Sequence, residues 1–170
     1  MDDNPLALTL KALHHWVERG DIVAINTLLD RNPEIGIDAT YEHGWTPLIV
    51  AAFHGRLDLV QYLLERGAEV NVQASFGWTA LMFAADHGHY EIVKTLLEAG
   101  ANATLLVEGD DNAYDFAIDS GNTQIGELLK AYGGYDEEES KARRARKWRK
   151  MMEAQGLLKS DSAEEPDAQK

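Results

Sequence analysis

One segment of this chain returns almost unchanged 33 positions later. Gly44, Trp45, Thr46, Leu48, Ala51, Ala52, His54 and Gly55 reappear as Gly77, Trp78, Thr79, Leu81, Ala84, Ala85, His87 and Gly88. The residues behind them keep the same offset: Val60, Leu63, Leu64, Gly67 and Ala68 return as Val93, Leu96, Leu97, Gly100 and Ala101. A degraded copy follows in Asn112, Ala113, Phe116, Ala117, Gly121, Ile125, Leu128 and Leu129. Another precedes them in Leu13, Trp16, Gly20, Ile25, Leu28 and Leu29, with a linking loop two residues longer. A fixed period of this length marks units that cannot bury their apolar faces alone and must stack.

Each unit reads as two helices. Thr46 and Thr79 are N-caps, and Pro47 suits a first turn, where a missing N–H costs nothing. Leu48, Ala51 and Ala52 form a narrow apolar stripe whose alanines let neighbouring units approach closely. Gly55 and Gly88 end that helix, and Gly67 and Gly100 end a second one that turns Leu59, Val60, Leu63 and Leu64 inward. The units fall at about 6–40, 41–73, 74–106 and 107–134, filling a domain over 1–134. The outer two are expected to be caps with more polar outer faces. The last copy has Asp110, Asp111 and Asn112 in place of Thr-Pro and brings its leucine pair one residue early. Its turn is therefore expected to be loose.

These residues closely resemble the ankyrin-repeat family over about residues 6–133. The resemblance implies an all-α solenoid of about four helix–turn–helix repeats. Ile49 and Met82 replace the histidine that follows Thr-Pro-Leu in the family, so the hydrogen bonds which that histidine makes are expected to be absent. It also implies a concave surface built by the turn tips and the first helices. Mapped residue by residue, that surface carries Glu42, His43, Trp45, Phe53, His54, Ser75, Phe76, Trp78, Asp86, His87, Asp111, Asp119 and Ser120. Tryptophan is enriched at interface hot spots. Trp45 and Trp78 have two readings, as binding anchors or as staples between neighbouring turns, whereas Phe53 and Phe76 are assigned to binding. Phe76 and Trp78 are expected at turn tips, so that replacing either leaves the stack folded.

Charge and motifs narrow the chemistry. Residues 1–134 hold seven basic and 20 acidic residues, which accounts for the whole net charge of −13. Phosphates would be repelled, so nucleic acid is an unlikely partner for the repeat body. The chain has no cysteine, which excludes disulfides and thiolate metal sites and suits a reducing, cytoplasmic setting. No transmembrane segment and no secretory signal are expected. The six histidines lack metal-ligand spacing, and no phosphate loop, nucleophile elbow or dinucleotide fingerprint is present. No metal, no cofactor and no catalysis are expected.

Residues 135–156 read as a charged helix, running from about 137 to 154. Glu137 and Glu139 lie four before Lys141 and Arg143, and Gly156 is a stop. Its basic run comprises Lys141, Arg143, Arg144, Arg146, Lys147, Arg149 and Lys150, with Ala145, Trp148, Met151 and Met152 sharing one side. Residues 157–170 are polar and acidic, the composition of a disordered tail. The helix either docks on the acidic repeats or acts in trans. The expected function is a non-catalytic protein-binding module, monomeric when free, for a partner with a basic or mixed surface; an inhibitor, immunity or adaptor protein fits that description. The alternative is a nucleic-acid or membrane-surface adaptor working through 141–150.

Overall fold

The computed structural model describes residues 5–157, so the tail expected beyond Leu157 lies outside the described residues. The chain divides after Tyr135 into two units. The first holds four helix pairs: α1 (Pro5–Arg19) with α2 (Ile22–Arg31), α3 (Pro47–Phe53) with α4 (Leu57–Glu65), α5 (Ala80–Asp86) with α6 (Tyr90–Glu98), and α7 (Ala113–Asp119) with α8 (Thr123–Ala131). The second holds α9 (Glu137–Ala154). The described residues are all helix and connection, the all-α repeat stack that the 33-residue period implies.

The helix starts follow from side-chain oxygens. Thr46 and Thr79, both buried, accept from the N–H of Ile49 and Met82 at 3.3 Å. The last repeat differs from expectation here. Asn112 accepts from the N–H groups of Tyr114 and Asp115 at 3.0 and 3.1 Å, while Asp115 accepts from the Asn112 N–H at 3.1 Å. This capping box does the work of the missing Thr-Pro, because an N-cap requires only an extended backbone and a reachable oxygen. The leucine register is regular as well. Leu63, Leu96 and Leu129 are fully buried and 33 apart, and Leu128 is an extra half-buried residue rather than a shifted one.

The inner helices pack in sequence, α1 on α3, α3 on α5 and α5 on α7. Ala51, Ala52, Ala84, Ala85 and Ala117 are completely buried, so the backbones approach as closely as methyl groups allow. An outer row runs through α4, α6 and α8. Ile49 and Met82 are buried core side chains.

Close approach lets each repeat satisfy the free carbonyls ending the preceding inner helix. Arg56 Nε donates to the Glu18 carbonyl at 3.1 Å, and His89 Nε2 lies 3.3 Å from the Phe53 carbonyl. Asn122 Nδ2 donates to the Ala85 and Asp86 carbonyls at 2.9 and 3.1 Å. These three residues are equivalent, each following the glycine that ends an inner helix. Gly55 is required twice over: its φ is +69°, and a Cβ there would come within 2.7 Å of the His89 ring. A second ladder joins the loops, where Asp38 accepts from the Glu69 N–H and Asn71 from the Asn102 N–H, at 3.1 and 2.7 Å.

The polar outer face expected of the first repeat is not found. Leu6, Leu8 and Val23 are exposed, and Leu8, Trp16 and Leu28 line an open groove. An end repeat has a neighbour on one side only, which leaves such side chains in solvent. In the second unit, Asp136 caps α9 by accepting from the Glu139 N–H at 2.7 Å. Glu137 pairs with Lys141, and Glu139 with Arg146, both at 2.9 Å.

The alanine stripe sets the spacing of the stack. Ala84→Leu is expected to destabilise it by about 1–3 kcal/mol, because the added methylenes have no space between α3 and α7. Urea unfolding of the variant beside the parent checks this; an unchanged midpoint would mean that Ala84 is not the spacer.

Candidate functional site

The inner helices and hairpin tips form one face of the first unit. The hairpins close alike: the N–H of Tyr41, Ala74 and Val107 donates to the carbonyl of Trp45, Trp78 and Asp111, at 3.3, 2.8 and 2.9 Å. The third turn is therefore closed like the others and not loose. In the first two, a pair of left-handed residues forms the tip, His43 and Gly44 at φ 59° and 72°, then Phe76 and Gly77 at 62° and 86°. This is the type I′ arrangement that suits a tight hairpin. In the third, Asp110 alone takes a positive φ, of 66°.

Neighbouring tips are tied together. Ser75 Oγ donates to the His43 carbonyl at 2.9 Å, and the Glu108 N–H donates to the Phe76 carbonyl at 3.0 Å. Gln73 Nε2 donates to the carbonyls of Gly77 and Leu106, at 3.0 and 3.2 Å. The second tip is thus held from both sides, and its side chain is displayed on a fixed frame.

Beneath the tips runs a continuous aromatic row. Trp45 meets Phe53 at 5.3 Å and Phe83 at 4.8 Å, ring centre to ring centre. Phe83 meets Phe53 at 5.5 Å and stacks on Trp78 at 4.5 Å, and Trp78 reaches Phe116 at 4.3 Å. Phe53 also packs on the His54 and His87 rings, at 4.9 and 4.6 Å. Trp45, Trp78 and Phe53 are half-buried members of this row, which gives Phe53 a structural role that the sequence reading did not assign. Trp78 is not a bare tip residue; it lies between aromatic rings from α5 and α7. The sequence reading missed Phe83 and Phe116. Their signal was the 33-residue offset between them, at the position that Val50 fills one repeat earlier.

Phe76 stands apart. It is 66% exposed, at the tip of the second hairpin.

The polar residues of the face divide into groups. Asp86 accepts from Ser120 Oγ at 2.6 Å, and its other oxygen lies 3.6 Å from His87 Nδ1. Glu42 and His43 belong to the first tip, Ser75 to the second, Asp111 to the third hairpin, and Asp119 ends α7 on the exposed side. The basic set, Lys141, Arg143, Arg144, Arg146, Lys147, Arg149 and Lys150 with Trp148, lies on α9 in the other unit.

At the first tip, His14 from α1 packs its ring 5.5 Å from that of Tyr41. Burial pushes its pKa below the ordinary 6.5, against the opposing pull of the Ala39 carbonyl and of the Glu18 and Glu42 carboxylates. The Tyr41 phenol, on a half-buried side chain, hydrogen-bonds Glu42, which raises its pKa. Among the described residues, no three histidines or carboxylates are grouped to hold a metal ion. Nor is any described helix long and apolar enough to cross a membrane.

A family model for ankyrin repeats in many copies matches residues 13–64 and 48–97. The chain is also similar to curated proteins named ankyrin repeat, SAM and basic leucine zipper domain-containing protein 1. The one from Equus caballus is 42% identical over 52 residues, 31% of this chain and 10% of that protein. The one from Nomascus leucogenys is 41% identical over 54 residues, 32% of this chain and 11% of its own length. The one from Carollia perspicillata is 44% identical over 52 residues, 31% of this chain and 10% of that protein. The match thus spans about a tenth of each of these relatives.

Two outcomes follow from the geometry. Trp78→Ala is expected to cost about 1–3 kcal/mol, since two aromatic contacts are lost together with their buried area; thermal unfolding checks it. His14 gives a pH dependence. Its ring protonates near 6.5 in the unfolded chain and only at lower pH when folded, so in that window the unfolded chain binds more protons. Stability is therefore expected to fall as pH drops through 6.5, and a His14→Phe variant should lose that part of the slope in denaturant titrations across pH.

Proposed function

Because this chain belongs to the ankyrin-repeat family, whose repeats are generally non-catalytic protein–protein interaction modules, we propose that it binds a protein partner through the hairpin-tip and inner-helix face. Phe76 is the central anchor in this reading. The observation that carries it is the conjunction at that residue of an exposed aromatic ring and a left-handed backbone. A bulky residue pays about 1–2 kcal/mol for that conformation, and glycine avoids it. Among the described residues no ring contact to Phe76 offsets the cost, and strain that packing does not explain is concentrated at functional sites.

The surrounding chemistry supports the choice of partner. Glu42, Asp86, Asp111 and Asp119 place acid around the aromatic row, and the repeat body carries all of the net charge. A partner with a basic or mixed surface is attracted, which raises the association rate more than it slows dissociation. Absence of cysteine supports a reducing, cytoplasmic setting. A second reading, an adaptor working through α9, is favoured by the exposure of Trp148 and Met151, at 54% and 48%, on the helix that carries the basic run.

The paired measurement of stability and affinity tests the anchor. Phe76→Gly is expected to raise unfolding free energy by about 1 kcal/mol as strain is relieved, while partner affinity falls by about 2 kcal/mol or more. The partner is first captured from native lysate and identified by mass spectrometry, then titrated with each variant. If Phe76→Gly binds as well as the parent, the tip is not the anchor. If deleting 136–170 abolishes binding and Phe76→Gly does not, α9 carries the interaction.

A further inference from the structure

Residues 144–151 of α9 are exposed without a break, so about two turns of this helix meet solvent on every side. A helix in that setting is ordinarily polar all round. This one holds Trp148 at 54% and Met151 at 48% exposure, with Met152 half-buried beside them. Spacings of three and four put these side chains on one side of the helix, together with Ala145. The Asp136 cap and the pairs Glu137–Lys141 and Glu139–Arg146 support α9 without drawing on that apolar strip.

The charge of the helix is sorted along its length. Residues 141–152 hold seven bases and no acid. Glu137, Glu138 and Glu139 are confined to the first turn, and Glu153 is the single acid within 140–154. At 100° per residue, Lys147 and Arg149 flank the apolar strip, while Arg146 and Lys150 lie opposite it. Positive charge and exposed apolar surface therefore coincide on the same two turns.

We propose that this part of α9 lies on an anionic phospholipid bilayer. Trp148, Met151 and Met152 enter the boundary between headgroups and acyl chains, and Arg144, Lys147, Arg149 and Lys150 meet the lipid phosphates. An interfacial helix buries its apolar side to a depth of about 5–10 Å, and long basic side chains reach back from there to the headgroups. Tryptophan favours that depth, because its ring is apolar and its N–H stays wet. Both attractions are needed. Three apolar side chains cover little area, and each base near a negative surface contributes a factor of about five. The repeat body carries the net negative charge, which opposes its own approach to the lipid and leaves α9 as the contact. Nucleic acid suits the strip less well, since its bases stack on an aromatic ring but gain nothing from two methionines beside it. The inference rests on the second reading above, in which α9 is the acting element, and names its partner.

The test is flotation of the full chain with vesicles of phosphatidylcholine containing about 30% phosphatidylserine, beside vesicles of phosphatidylcholine alone. Binding is expected on the anionic vesicles, at least about tenfold weaker on the neutral ones, and lost between about 0.1 and about 0.5 M salt. Lys147→Gln with Arg149→Gln and Lys150→Gln should weaken it about a hundredfold, while Lys147→Arg with Lys150→Arg should leave it unchanged. Trp148→Ala should weaken it about tenfold. Acyl-brominated lipid should quench fluorescence in the parent, and that quenching should be lost in Trp148→Phe. All these positions are exposed, so the variants keep their helix content, which circular dichroism checks. No binding to anionic vesicles, equal binding to neutral ones, or indifference to Trp148→Ala would each overturn the proposal. Poly(U) RNA is run in parallel. Capture of the RNA without capture of anionic vesicles would sink the lipid assignment and keep α9 as the acting element. Failure of both, with partner binding that survives deletion of 136–170, would sink the α9 reading as well. Phe76 lies in the other unit, so Phe76→Gly should float like the parent.

Discussion

Everything in the first unit depends on how closely the inner helices approach one another. Helices α3, α5 and α7 have seven residues each, two turns apiece. Such lengths are not stable alone in water, where about 12–15 residues are needed. They exist because Ala51, Ala52, Ala84, Ala85 and Ala117 are fully buried between neighbours. The same small side chains bring Arg56, His89 and Asn122 within reach of the preceding helix end, so the apolar contact is the precondition for the polar one. Position 126 keeps the volume constant by exchange. Gly126 stands where Val60 and Val93 stand in other repeats, and Ile118 fills the space, so that a Cβ at Gly126 would come within 2.7 Å of Ile118 Cδ1.

The period, the threonine caps and the alanine stripe were legible because each is a repeated residue type with a single physical role. The cross-repeat bonds were not. The sequence reading looked for the family's histidine after Thr-Pro-Leu and, finding Ile49 and Met82, expected fewer bonds between repeats. The carbonyls that end the inner helices are instead met by an arginine, a histidine and an asparagine. Three side chains share a donor and a reach but no resemblance as letters. Asn112 was missed for the same reason, since a capping box is defined by oxygen placement and not by Thr-Pro. The grouping at the first tip was less legible still: His14, Glu18 and Glu42 do not share a repeat position, and only folding brings them together.

The aromatic row shows why the two readings of Trp45 and Trp78 could not be separated from sequence. A half-buried ring on a repeat stack can join neighbouring turns with one edge and face solvent with the other. Phe83, just 9% exposed, is the hinge of the arrangement, touching Trp45, Phe53 and Trp78. The row therefore stiffens the face that it lines. Stapling and binding are compatible here, and the tryptophans differ from Phe76 in having interior contacts at all.

His43 and Phe76 carry that difference to the tips. The two residues share a backbone conformation 33 positions apart, at φ 59° and 62°. Each has its carbonyl tied to the next hairpin, by Ser75 Oγ and by the Glu108 N–H. The frame is thus repeated while the chemistry is not, a titratable ring at one tip and an apolar ring at the next. Because the ties belong to the stack, the tips are ordered before any partner arrives, and little further conformational entropy is lost on association. A strained, exposed phenylalanine is tolerable only on a frame of this kind. On a loose loop it would relax to a negative φ and fold its ring away from water, and the apolar surface would no longer be on offer.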